Sequence, residues 1–312
     1  MRIFDFATVK EWENRLSLLA EMAEPERWNF TCVPSETRLP VLDSYVRYTF
    51  LRVSNQGKVA ENDQLACFNT GLLTPGQEEI FGVFTVSDRY DPSQPASSAN
   101  KKWWLKAWVR SGDRLLSSFR ALPALATYWI DPSDIVFNPN LQIQLNVDHI
   151  IKDNLQRFPV EFGGQLDTNG VPQEERPPDI EEESGANPST VPGNEVVIPL
   201  ATRNVLEGAM KHSIRLAQRS YRIAVPQFHH DRIQLLLPLY IRDAKRPDLA
   251  LTLEHNGDWY RAATVLYPDW AYRHARLLSR PNSEWLGGFR TDLAREMSLG
   301  VAADGPTAGG LG

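Results

Sequence analysis

Between Gly163 and Asn194 the chain reads GGQLDTNGVPQEERPPDIEEESGANPSTVPGN, and no other stretch constrains the fold as much. Large apolar side chains are nearly absent from it, so it cannot bury enough surface to offset the entropy of ordering its backbone. The composition predicts a mobile linker. Seven acidic residues (Asp167, Glu174, Glu175, Asp179, Glu181, Glu182, Glu183) stand against a single Arg176, so this segment accounts for the whole formal charge of −6. The remainder is near neutral, and no global basic field recruits a polyanion. Any core must be built from the flanks, 1–162 and 195–296, as two lobes or as one composite domain. Both flanks supply strands, which favours the composite domain; 297–312 reads as a disordered tail.

A chain of 312 residues is long enough to bury a substantial core, and its nine tryptophans need one. In VKEWENRLSLLAEMAE, Trp12, Leu16, Leu19 and Met22 recur at helical offsets, and the helix ends before Pro25. LDSYVRYTFLRV reads as a second helix, although its aromatic and β-branched content leaves a strand open. ACFNTGLL, EEIFGVFTV and WWLKAWVR read as strands joined by Gly/Pro/Ser-rich turns. NVLEGAMKHSIRLAQRSY is an amphipathic helix. IQLLLPLYI, LALTLEHN and WYRAATVL form an antiparallel meander, with Asn256-Gly257-Asp258 turning the last hairpin. DWAYRHARLL starts a helix after Pro268. The expected class is α+β: antiparallel sheet regions packed with helices in one composite domain, carrying a disordered acidic insertion.

The N-terminal MRIFDFATVKEWENRL becomes charged too early for a signal peptide, and no run approaches the roughly 18 apolar residues of a membrane span. Cys32 and Cys67 are far apart and read as buried thiols rather than a disulfide or metal pair. These features predict a cytoplasmic protein with no membrane partner. None of the six histidines makes a metal-ligand spacing, so no cofactor is predicted; a divalent ion held by mixed His and Asp ligands stays open without support from spacing.

At 146–159 the chain reads NVDHIIKDNLQRFP. On a helix, Val147, Ile150, Ile151, Leu155 and Phe158 make an apolar stripe, while His149, Asp153 and Arg157 follow at one-turn intervals on another face. A carboxylate one turn from an imidazole can select its tautomer, as acid–base catalysis requires, and an arginine beyond it can hold phosphate. The same spacing also describes exposed helix-face contacts worth only a few tenths of a kcal/mol. Lys211, Arg215 and Arg219 form a cationic stripe that can track phosphates or simply face water. Lys101, Lys102, Lys106 and Arg110 interleave with Trp103, Trp104 and Trp108, as base stacking or core packing would require. Gln234 enters a buried run and needs a hydrogen-bonding task. Asn69-Thr70-Gly71 places an amide beside a strand-end glycine, where backbone can approach a ligand. No P-loop, GxSxG, GxGxxG or HExxH is present.

CFNTGLLTPGQEEIFGVF, DHIIKDNLQRFP, PQFHHDRIQLLLPLYI, LALTLEHNGDWYRAATVLYPDWAYRHARLL and PNSEWL together resemble the domain of unknown function 3825 family. The similarity runs from about Leu42 to Leu286, with the acidic linker as a variable insertion between blocks. The resemblance implies RNA or nucleotide metabolism by association, because the domain often occurs beside cold-shock-type OB-folds and other RNA-associated modules. Within its motifs lie Asn69, Thr70, Gly71, His149, Asp153, Asn154, Arg157, Gln227, Gln234, Tyr260, Tyr272 and Arg276. The family pattern carries Asn in place of His274, so that histidine is assigned no role.

Three functions fit this sequence. The first is an RNA- or nucleotide-directed hydrolase cleaving a phosphoester, pyrophosphate or glycosidic bond. His149, Asp153 and Arg157 would be its catalytic residues, and Asn69, Thr70, Gln227, Gln234, Tyr260, Tyr272 and Arg276 would bind substrate. The second is a non-catalytic RNA- or nucleotide-binding module using Lys211, Arg215 and Arg219. The third is a protein-interaction scaffold that pairs the acidic linker with the basic helix. The oligomeric state is not encoded in any of these features.

Overall fold

The computed structural model describes residues 1–31, 35, 37–95, 97, 100–129, 131–164, 200–229, 231–281 and 284–287. The chain begins with α1 (Ile3–Phe6), the two-residue β1 (Ala7–Thr8) and α2 (Trp12–Met22). α3 (Pro40–Asn55) starts on Pro40, whose missing N–H costs nothing in a first turn. It buries Val41, Leu42, Tyr45, Val46, Phe50 and Val53, and this spacing of three and four decides LDSYVRYTFLRV in favour of helix.

The first sheet contains β2 (Ala60–Glu61), β3 (Leu65–Leu73), β4 (Glu79–Val86) and β5 (Trp103–Arg110), in the order β1-β5-β4-β3-β2. Gly82 of β4 lies between Phe68 and Trp108 on the neighbouring strands, and the bare backbone there makes room for both rings.

The second sheet takes β6 (Gln142–Gln144) from the first half of the chain and the rest from the second. Next come α4 (Val147–Asn154) and α5 (Leu200–Arg219), then β7 (Val225–His229), β8 (Arg232–Leu239), β9 (Leu249–His255) and β10 (Trp259–Leu266). The strand order is β6-β10-β9-β8-β7. α6 (Pro268–Arg276) and α7 (Glu284–Gly287) follow.

The fold is therefore mixed α+β with two sheets and helices. The expectation of antiparallel sheet regions needs one correction: β1 pairs with β5, and β6 with β10, in parallel. Two- and three-residue strands are too short to show an alternating pattern. The expected linker beyond Gly164 and the expected tail at 297–312 lie outside the described residues.

A contiguous cluster of buried apolar side chains reaches from Ile3 to Leu286 and includes residues of both sheets. A smaller one, built on Cys67, Phe81, Val83, Val109 and Leu116, forms a second cluster on the first sheet. Among the described residues no helix is long and apolar enough to cross a membrane.

Candidate functional site

Strand alternation gathers the polar side chains of the second sheet. Across β7 and β8, Gln227 faces Gln234 and His229 faces Arg232; across β8 and β9, Gln234 faces Glu254. Across β9 and β10, Glu254 faces Arg261 and Thr252 faces Thr264. Glu254 and Thr252 are two apart, whereas Arg261 and Thr264 are three apart. The register irregularity between Ala262 and Thr264 absorbs the extra residue and keeps both pairs on one face.

Two elements then wall a cavity of about 470 Å³ on that face. α6 contributes His274, whose ring stacks on His229 with centroids 4.9 Å apart and planes 20° from parallel. The end of α4 contributes Arg157. The α-helix tightens there into a 3-10 turn over Leu155–Arg157, which takes Arg157 off the line of His149 and Asp153. Arg157 donates from one terminal nitrogen to Asn154 Oδ1 at 2.6 Å and to the Val265 carbonyl at 2.7 Å, and its guanidinium lies 5.2 Å from the Trp270 ring. Arg232 is exposed at the rim and has no carboxylate partner among the described residues. On the floor, the buried Thr252 hydroxyl has no hydrogen-bond partner among the described residues.

The floor also holds a connected polar chain. Gln227 Nε2 donates to Gln234 Oε1 at 2.8 Å, and Gln234 Nε2 donates to Glu254 Oε1 at 3.1 Å. His274 Nδ1 lies 3.3 Å from Gln227 Oε1. Arg261 Nε donates to the other Glu254 oxygen at 3.0 Å. The arrangement offers two imidazoles, two guanidiniums and several directed hydrogen-bonding groups to an anionic, polar ligand.

Of the residues singled out from the sequence, Arg157, Gln227 and Gln234 meet in this cavity. The others lie elsewhere. His149 Nδ1 and Asp153 Oδ2 lie 3.1 Å apart on an open face of α4, their side chains 60% and 46% exposed, so that face looks into water. Asn69 and Thr70 belong to a β-irregularity in the first sheet. Asn69 bonds Glu79 and caps the Gly71 N–H, while Thr70 donates to the Ile80 carbonyl at 2.7 Å. Gly71 has φ of 74°, which explains the glycine without a ligand.

Tyr260 is buried, stacked on Phe137, and its hydroxyl accepts from the Asn138 N–H at 2.8 Å. Arg276 Nε donates to both oxygens of Glu26, at 2.6 and 2.9 Å, and Tyr272 donates to the same carboxylate at 3.1 Å. Lys211, Arg215 and Arg219 are exposed along α5. Trp103 and Trp108 are core residues, so β5 presents no row of open stacking faces. Among the described residues no three His, Cys, Asp or Glu side chains come together as a metal-ligand group.

Sequence reasoning missed His229, Arg232, Thr252, Glu254 and Thr264, and it set His274 aside because the pattern of the resembling family carries Asn there. Its usable signal was period two: Gln227-x-His229, Arg232-x-Gln234 and Thr252-x-Glu254 put polar residues on one face of otherwise apolar strands. Only the register across strands shows that these pairs share a face.

The site is thus a polar, cation-lined cavity on one face of a mixed sheet, closed by a helix from each side of the acidic segment. The chain belongs to the domain of unknown function family DUF3825, which it matches over residues 19–285. No curated protein matches it significantly, and no solved structure does.

Proposed function

We propose that the protein is an RNA- or nucleotide-directed hydrolase acting on a phosphoester or pyrophosphate bond in the cavity of the second sheet. The observation that carries this reading is the stacking of His229 on His274 at 4.9 Å beside Arg157 and Arg232. Two adjacent rings can supply one acid and one base, as ester hydrolysis needs: one ring takes a proton from the nucleophile, the other gives one to the leaving oxygen. Arg157 and Arg232 would stabilise the charge developing on the phosphoryl oxygens. The amides of Gln227 and Gln234 and the Thr252 hydroxyl add directional groups for a base or ribose. In this reading the catalytic role passes from His149 and Asp153 to the cavity histidines.

The site would lie within one composite domain, since α4 and β6 come from before the acidic segment and α6 from after it. The test is turnover of a capped RNA, a dinucleotide and a cyclic nucleotide by purified protein. His229→Ala and His274→Ala should each lower kcat by about a hundredfold or more, with His149→Ala near wild type. Absence of turnover across all three substrate types would overturn the hydrolase.

A second reading, a non-catalytic RNA-binding module, is favoured by the exposed Lys211/Arg215/Arg219 stripe. In that case charge reversal along α5 abolishes RNA binding and flattens its salt dependence, while the cavity variants bind normally.

A further inference from the structure

Glu254, Gln234, Gln227 and His274 are linked by three successive side-chain hydrogen bonds of 3.1, 2.8 and 3.3 Å that cross β9, β8 and β7 to reach α6. The chemistry at one end sets the direction of them all. An ionised carboxylate only accepts, so Gln234 must turn its NH2 to Glu254 and its carbonyl to Gln227. Gln227 must then turn its own NH2 to Gln234, which leaves its carbonyl oxygen facing His274. A carbonyl oxygen cannot donate, so the bond requires the proton on Nδ1 of His274. Arg261 occupies the second carboxylate oxygen, and this leaves Oε1 to the chain. The opposite tautomer would need both amides flipped, setting Gln234 Oε1 against the Glu254 carboxylate with no proton between them. Gln227, Gln234 and His274 are all buried, so water does not compensate for such a mismatch.

We infer that Glu254, Gln234 and Gln227 are positioning residues that hold His274 in the Nδ1–H tautomer, so that Nε2 is its basic nitrogen. The catalytic meaning of this rests on the hydrolase proposed above, whereas the tautomer itself can be observed without any turnover. Long-range proton–nitrogen correlation spectra of the full-length 15N-labelled protein, with His274→Gln used to assign the ring, should show a pyrrole-like Nδ1 and a pyridine-like Nε2. Glu254→Gln removes the obligate acceptor while keeping the shape, and should move the His274 signals to a mixture of tautomers. Gln227→Leu should do the same, because it removes the acceptor without adding a charge beside the ring. Gln227→Leu also keeps the test available if Glu254→Gln does not fold.

With a phosphoester substrate, Glu254→Gln should lower kcat in proportion to the Nδ1–H population lost, by about two- to fivefold for a mixture, and leave KM within about twofold. A wild-type ring protonated on Nε2, or Nδ1–H that persists in both Glu254→Gln and Gln227→Leu, overturns the inference. A wild-type Nδ1–H that these variants abolish, in a protein that turns over nothing, supports the positioning chain and removes the hydrolase.

Discussion

Arg276 carries a charge into the interior, and its surroundings give it one partner. Its side chain is 12% exposed and that of Glu26 only 4%, its Nε donates to both oxygens of that carboxylate, and the guanidinium lies 4.6 Å from the Tyr45 ring and 5.1 Å from that of Trp28. Arg276→Ala would leave the Glu26 carboxylate buried and unpaired, so it should destabilise the fold by about 3–5 kcal/mol in urea unfolding. Arg276→Lys should recover little of this, because an ammonium lacks the flat guanidinium that lies against the Tyr45 and Trp28 rings. The phenol of Tyr272 feels the same carboxylate. Burial first, then the charge and hydrogen bond of Glu26, push it up to about 12 from 10.0. Between those values the unfolded chain loses the phenolic proton and the native one keeps it, so stability is intact below pH 10 and falls as pH rises towards about 12. Tyr272→Phe should flatten that alkaline decline in a series of thermal melts from pH 9 to about pH 12. From the sequence, Arg276 read as a substrate-binding residue, its guanidinium suited to an anion. The chemistry was legible, but the anion is a carboxylate 250 positions away, and no local pattern could reveal it.

Elements with a clear period were legible along the chain, and those set by tertiary pairing were not. α2, α3 and α6 follow their apolar spacing, and the long strands follow their apolar runs. The ladder His149–Asp153–Arg157 assumed an unbroken α-helix, and the 3-10 turn after Asn154 breaks it. That break aims Arg157 at β10, where Thr264 also donates to Asn154 at 2.8 Å, and so the one position of the ladder that lines the cavity is the one that departs from its period. Gly82 shows the same dependence on neighbours. A Cβ there would lie 2.3 Å from Phe68 Cε1 and 2.8 Å from Trp108 Cζ3, atoms of rings fixed within the core. Gly82→Ala should therefore cost about 1–3 kcal/mol through overpacking, read as a lower urea midpoint with an unchanged slope. By contrast Gly57 has φ of 64°, and a Cβ added to it would meet nothing within 4 Å, so its glycine is a matter of backbone conformation alone.

At the scale of the molecule, the acidic segment divides the sequence without sorting the elements. β6 and α4 precede it and pack on the second sheet, where Tyr260 also accepts from Asn138. The first half reaches the second again through Glu26 on Arg276 and through Arg52, which holds Asp231 at 2.5 Å in the turn between β7 and β8. Whether contacts of this kind couple the stabilities of the two sheets can be measured. Gly82→Ala strains only the first sheet, where it contacts Phe68 and Trp108. If both sheets open together, the slowest-exchanging amides of β8 and β9 should lose the same free energy as those of β3 and β4, although no atom of the second sheet is changed. Native-state hydrogen exchange of wild type and Gly82→Ala, compared strand by strand, reads this directly. Equal losses mean one cooperative unit with the cavity at its far side. A loss confined to β3, β4 and β5 would mean two lobes that open independently, and the composite domain would then be wrong even though every contact between the halves is in place.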